Sequence, residues 1–191
     1  MAVEEPLFTV IQQVGAIEVR DYPALIAAEV TVSGDRAAAI KSGFRLLASY
    51  IFGENTTQQR IAMTAPVIQA AAEQATIPMT APVIQTATAD AWLIRFMMPR
   101  GYTLETLPKP NNSQITLLTL SASRFAVIRF SGLAKEEDIK QKTALLNSFI
   151  TLHSLTVVGS PSLARYNPPW TPWFLRRNEI MIPIQPDISN D

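Results

Sequence analysis

The chain contains no cysteine, an absence that removes disulfides, thiolate metal sites, iron–sulfur clusters and thiol nucleophiles together. Histidine occurs once, at His153, so few nitrogen ligands are on offer for any metal. Glycine is scarce, with 7 in 191 residues, and none belongs to a phosphate-binding Gly-rich loop. The motifs G-x-S-x-G and H-E-x-x-H are missing too, and a Ser-His-Asp triad would have to use His153, which has no nucleophile motif beside it. The expectation is a protein that is not an enzyme. Only 17% of residues are charged, and 16 basic residues cancel 16 acidic ones. Nothing in that balance draws the chain to nucleic acid or to an anionic membrane. No run approaches the roughly 18 apolar residues of a membrane span. Near the start, Glu4, Glu5 and Pro6 stand where a secretory leader has basic residues and then an apolar stretch, so a cytoplasmic chain is expected.

What is present is apolar and patterned. Hydrophobic residues make up 48% of a length that suits one domain, residues 1–191, with a real core. Phe8–Ile11, Ile17–Arg20 and Leu25–Val32 are rich in β-branched and apolar residues and are punctuated by Gly15, Pro23 and Ser33-Gly34, which predicts strands. Asp35 then sits at an N-cap position. Ile40, Phe44, Leu47 and Ile51 follow on one face of a helix that stops at Gly53, and Lys41, Arg45 and Ala48 line an adjacent face. Further strands are predicted at Trp92–Met98, Phe125–Phe130 and Glu179–Ile184.

The second half repeats the first. Ser131-Gly132 closes an apolar strand just as Ser33-Gly34 does, and at an offset of 99 the pairs Ile40/Ile139, Lys41/Lys140, Leu46/Leu145, Leu47/Leu146, Ser49/Ser148 and Ile51/Ile150 are identical. Two halves, about 7–99 and 114–184, each read strand, strand, helix, strand, strand. They are expected to pack about a pseudo-twofold axis, with their sheets forming a barrel-like surface and the helices outside. A cleft between sheet and helix would take a ligand.

A second and younger duplication is overt. Met-Thr-Ala-Pro-Val-Ile-Gln occurs at Met63–Gln69 and again at Met79–Gln85, within a 16-residue tandem unit in which Arg60–Ala75 and Thr76–Ala91 share ten identities. Because 16 is even, both copies present the same side chains to the same face of a strand. The first copy is expected to hold the strand. Thr76–Ala91 is expected to form a hairpin partner or a neighbouring edge strand, with Pro66 and Pro82 placed where no ladder hydrogen bond is needed.

Candidate ligand groups are few. Lys41 and Arg45, spaced i, i+4, can reach one anionic group together, although such pairs also line ordinary solvated helix faces. Met63 offers a thioether, a side chain more often used as core filler. His153 ends the second helix, where a histidine commonly meets the helix dipole. Tyr166–Glu179, with three prolines and two tryptophans, reads either as a ligand wall or as a stiff packing segment.

Three segments carry a family resemblance: Ile17-Glu-Val-Arg-Asp-Tyr-Pro23, Arg60-Ile-Ala-Met-Thr-Ala-Pro-Val67 and Ala164-Arg-Tyr-Asn-Pro-Pro-Trp-Thr-Pro-Trp-Phe-Leu-Arg-Arg-Asn-Glu179. Together they resemble the SOUL family of haem-binding proteins, over about residues 7–184. The resemblance implies an α+β fold, a distorted antiparallel β-barrel of two βαβββ repeats with two flanking helices. It also implies a monomer or weak dimer binding haem or another tetrapyrrole in an apolar cleft beside the first helix, as carrier, buffer or sensor. Some members ligate the iron through a histidine just before the Tyr of the opening motif, and here that position is Asp21. Others bind through hydrophobic and basic residues of the first helix, a pattern that maps onto Lys41, Phe44 and Ser49. The candidate haem-binding set is therefore Lys41, Phe44, Arg45, Ala48, Met63 and Asp21, with His153 and Met63 as weak iron ligands. The fold is also similar to effector-binding domains of bacterial regulators, so a module for amphipathic small molecules is the rival reading. A tetrapyrrole-modifying enzyme working near Tyr22, Asp21 or Tyr166 is a third.

Overall fold

A computed structural model describes residues 4–72, 91–168 and 170–186. Nine strands and two α-helices appear in the order β1 Thr9–Val14, β2 Ile17–Tyr22, β3 Leu25–Ser33, α1 Arg36–Ile51, β4 Val67–Ala71, β5 Ala91–Met97, β6 Thr116–Leu120, β7 Ser123–Ser131, α2 Glu136–Leu152, β8 Ser162–Arg165 and β9 Arg177–Ile184. A short 3-10 turn occupies Trp173–Leu175. The strands form one antiparallel sheet in the order β1-β2-β7-β9-β8-β4-β5-β3-β6, curled into a half-barrel. The α+β class and the antiparallel barrel-like architecture expected from the sequence are those observed.

That strand order makes the internal duplication physical. From the β8/β4 pair outward, β8-β9-β7-β2 mirrors β4-β5-β3-β6. Each repeat is strand, strand, helix, strand, strand, yet its first strand pairs in the sheet of the other half: β2 with β7, and β6 with β3. The helices bury equivalent residues, Leu47, Tyr50 and Ile51 of α1 and Leu146, Phe149 and Ile150 of α2. Gly34 and Gly132, entering the two helices, have φ of 116° and 119°, a conformation that glycine adopts without steric cost.

Asp35 caps α1, its carboxylate accepting from the N–H groups of Ala37 and Ala38 at 3.1 Å each. The buried stripe of α1 is Ala39, Gly43, Leu47 and Tyr50, which turns Phe44 outward, 37% exposed. Gly43 is the reason. A Cβ built there would stand 2.6 Å from Cδ1 of Ile94, a β5 residue with no exposed surface, so only glycine lets α1 approach the sheet this closely. Both helices pack on the convex face, α1 on β3 and β5, α2 on β7 and β9. The concave face carries no helix.

The first heptapeptide supplies β4. Val67–Gln69 pairs on both sides, with Phe96–Ile94 of β5 and Arg165–Leu163 of β8, so this copy lies at the centre of the sheet. Pro66 immediately precedes the first paired residue, where its missing N–H costs no ladder bond. The expectation for Thr76–Ala91, with Pro82, falls almost wholly outside the described residues; only Ala91 is described, as the first residue of β5.

Candidate functional site in the concave face

Side chains alternate across a strand, so the concave face collects every second residue of each element. From β3 come Leu25, Glu29 and Thr31, from β4 Ile68, from β5 Leu93, Arg95 and Met97, and from the far half Phe125, Ser162 and Met181. They enclose a cleft of about 540 Å³, completed by Tyr22, Pro23, Pro66, Tyr166 and Pro183. That size and apolar lining with a few polar groups is typical of a small-molecule site.

Its one cationic lining residue among the described residues is already neutralised. Glu29 and Arg95 stand directly opposite in the β3/β5 register, and Arg95 donates from Nε and Nη2 to Oε2 of Glu29 at 2.9 and 2.5 Å. Both side chains are 21% exposed, so the pair is a polar spot set in an apolar wall.

Beside the cleft lies a buried charge network. Glu179, with no exposed surface, accepts from Arg20 Nη1 and Nη2 at 2.8 and 3.1 Å, from the Tyr166 hydroxyl at 2.6 Å, and from Arg177 Nε and Nη2 at 3.0 and 2.9 Å. Burial alone would raise the Glu179 pKa, but the hydrogen bonds from Arg20 and Tyr166 outweigh it and hold the carboxyl below its usual range. Tyr166 responds in the opposite sense. Burial first, then the charge of Glu179, pushes its hydroxyl pKa up, so it stays a proton donor. Arg177 stacks 3.7 Å over the Tyr166 ring and also reaches Glu5 at 3.1 Å, while Arg20 lies 4.2 Å over Phe8 and donates to the Tyr22 hydroxyl at 3.2 Å. Tyr22 and Tyr166, both cleft walls, are thereby fixed in place.

The candidates from sequence lie elsewhere. Lys41, Phe44, Arg45 and Ala48 share the outer surface of α1, and none lines the concave cleft. Lys41 and Arg45 are exposed and unpaired among the described residues, whereas the Phe44 ring meets Phe96 edge-on at 5.3 Å. Met63 is 40% exposed and also outside the cleft. Asp21 is held by Arg124, its cross-strand partner, at 2.6 and 2.9 Å, and that hydrogen-bonded charge lowers its pKa. His153 caps the C-terminus of α2, with its ring 4.2 Å from Phe149 and Nδ1 3.4 Å from Gln12. Among the described residues, Tyr22 and Tyr166, named for the enzyme reading, do border the cleft. Of the missed ones, Glu29 and Arg95 did leave a signal, since a lone charge inside an apolar strand, as in Ala28-Glu29-Val30 and Ile94-Arg95-Phe96, marks the face that is not core, whereas Met97 and Met181 left none.

The fold is thus a curled antiparallel sheet with helices on one side and an apolar cleft on the other. The chain belongs to the SOUL heme-binding protein family, which matches residues 3–183. Among solved structures it is similar to the EcmrR C-terminal domain, with a TM-score of 0.62 at 12% identity over 94% of this chain and 98% of that one. A conserved protein from Listeria innocua gives 0.60 at 13% identity over 88% and 92% of the two chains. A hydrolase from the same organism gives 0.59 at 13% identity over 88% and 91%. At such identities the likeness is one of fold. No curated protein sequence matches the chain.

The family implies haem, and the cleft has the makings of a haem site without histidine. Its walls are apolar, and Met97 and Met181 supply thioethers, which serve as axial donors in other haem proteins. Arg95 is already paired to Glu29 and would not be free to hold a propionate. No helix among the described residues is long and apolar enough to cross a membrane.

Proposed function

We propose that this protein binds haem or a related tetrapyrrole noncovalently and serves as a carrier, buffer or sensor, without chemistry of its own. The observation that supports this reading is the apolar concave cleft of about 540 Å³, walled by Leu93, Met97, Phe125 and Met181. Bound haem would supply its own redox and ligand-binding chemistry. Leu93, Met97, Phe125 and Met181 would hold the apolar macrocycle and keep water from it, between the fixed walls of Tyr22 and Tyr166.

The outer surface of α1, with Lys41, Phe44, Arg45, Ala48 and Met63 nearby in sequence, is the competing location, and hemin titration separates the two. Wild type is expected to give a saturable Soret shift. Leu93→Arg, which puts a charge into the cleft wall, is expected to weaken binding about tenfold or more, a loss of about 1.4 kcal/mol. Lys41→Ala combined with Arg45→Ala is expected to change it little. The reverse pattern moves the ligand to α1, and a featureless, nonsaturating titration removes the proposal.

A second reading rests on the cleft's carboxylates, Glu5 and Glu29, which outnumber its guanidinium, Arg95, among the described residues and leave the lining net negative even with Arg95 paired. They favour an amphipathic cation, the ligand of a free-standing effector-binding module. Saturable binding of a lipophilic dye cation that is lost in Glu29→Gln, with no affinity for hemin, selects this reading.

A further inference from the structure

The opposite face of the sheet holds a second cavity, about 670 Å³, between the N-terminal ends of α1 and α2. Gln69, Leu163 and Ile180 form its floor, and Arg36, Trp92 and Lys140 stand around it. Two buried polar side-chain atoms among the described residues lack a hydrogen-bond partner, Gln69 Oε1 and Arg165 Nε. Both belong to this region. Gln69 is only 7% exposed and lines the cavity, while Arg165 follows Leu163 by two residues on the same face of β8.

Buried polar groups in folded proteins are almost always satisfied, so two unsatisfied ones at one groove call for an explanation. Charge supplies it. No carboxylate pairs with Arg165 or with Arg36 among the described residues. Burial pushes the Arg165 guanidinium below its ordinary pKa, and the positive charges of Arg36 and Arg176 push it further the same way. The nearby acids are otherwise engaged: Asp35 caps α1, and Glu136 pairs with Lys140 at 3.3 Å. Arg36 is also fixed over the Trp92 ring at 5.4 Å.

We infer that the groove between the helices binds an oxyanion, the phosphate or carboxylate group of a small ligand, through Arg165, Arg36 and the amide of Gln69. A half-turn of that amide presents its NH₂ to the anion, and Trp92 offers a flat surface for the rest of the ligand. The site lies on the helix side of the sheet, and Ala70, Ala71 and Ser162 border both it and the concave cleft.

Thermal melts at constant ionic strength test this, with chloride replaced stepwise by inorganic phosphate in one series and by acetate in another. A ligand that binds the native state alone raises Tm with concentration. Wild type is expected to gain Tm saturably with at least one of the two anions, and the responding series tells phosphate from carboxylate. Arg165→Gln is expected to lose that response while melting no lower than wild type in chloride, because a half-buried charge with no carboxylate partner among the described residues has been removed. Arg36→Gln, at the half-buried first residue of α1, is expected to weaken the response and decides the matter should Arg165→Gln fold poorly. Equal Tm in all three anions, or a response unchanged in Arg36→Gln and in folded Arg165→Gln, overturns the inference.

Discussion

Glu179 remains ionised in a place with no water because Arg20, Arg177 and the Tyr166 hydroxyl all donate to it. Its partner Arg20 is equally enclosed, at 2% exposure, so neither charge has a solvent alternative. Replacing one member of such a pair costs more than the pair contributes, since the other is left buried and uncompensated. Glu179→Gln keeps the shape and removes the charge. It is expected to lower unfolding stability by about 3–5 kcal/mol, read from urea denaturation. Glu18→Gln is the matched comparison: Glu18 also pairs with Arg20, at 2.6 Å, but its side chain is 22% exposed, and a loss within about 1 kcal/mol is expected. Similar losses from the two substitutions would show that burial of Glu179 does not set the cost.

At the scale of elements, the strands and helices with strong periodicity were readable: β2, β3, β5, β7 and β9 fall where alternation and β-branched content put them, and Asp35 caps α1 as its position predicts. Short strands without that signal were not. β6, Thr-Leu-Leu-Thr-Leu, fits either period, and β8, Ser-Leu-Ala-Arg, has no β-branched residue and stands just before a proline-rich stretch; both exist because neighbours pair with them. The rotation of α1 was hidden for a related reason. Phe44 reads as core on a helical wheel, but the space Gly43 opens for Ile94 decides which face goes down. The cleft escaped notice because its residues are single positions on many strands, brought together only by the sheet order. The tandem repeat gives this scale its prediction. The N–H of Ala72 bonds to the carbonyl of Ala91, and removing Thr76–Ala91 sets Ala75 in place of Ala91, leaving Glu73-Gln74 as a two-residue hairpin turn between β4 and β5. The even repeat length preserves which side chains face the core. The deletion variant is expected to keep its far-UV circular dichroism and a cooperative melt. A non-cooperative melt would mean that the second copy is indispensable to the sheet.

Across the whole molecule, the shifted groups set where stability ends on the pH scale. Hydrogen bonds from Arg124 lower Asp21, and those from Arg20 and Tyr166 lower Glu179 against the opposing effect of burial. A carboxylate depressed in the folded state adds stability that is complete above its unfolded value, about pH 4, and is lost as pH falls through the folded value. The tyrosines act at the other end. Burial raises Tyr22 and Tyr166 and pushes Tyr50 up to about 12, its hydroxyl donating to the Pro108 carbonyl at 2.8 Å. A tyrosine raised in the folded state adds stability that is complete below its unfolded value, about pH 10, and is lost as pH rises through the folded value. These groups leave a plateau between about pH 5 and 9, with the urea midpoint falling on either side. Ultraviolet difference absorbance checks the alkaline limb directly. With three of the four tyrosines raised, the phenolate signal at about pH 10.5 should stay well short of full ionisation until circular dichroism reports unfolding. Complete ionisation of all four centred near pH 10, with the native spectrum intact, would mean that Tyr22, Tyr50 and Tyr166 are not enclosed as described, and with Tyr22 and Tyr166 the fixed walls of the cleft would go.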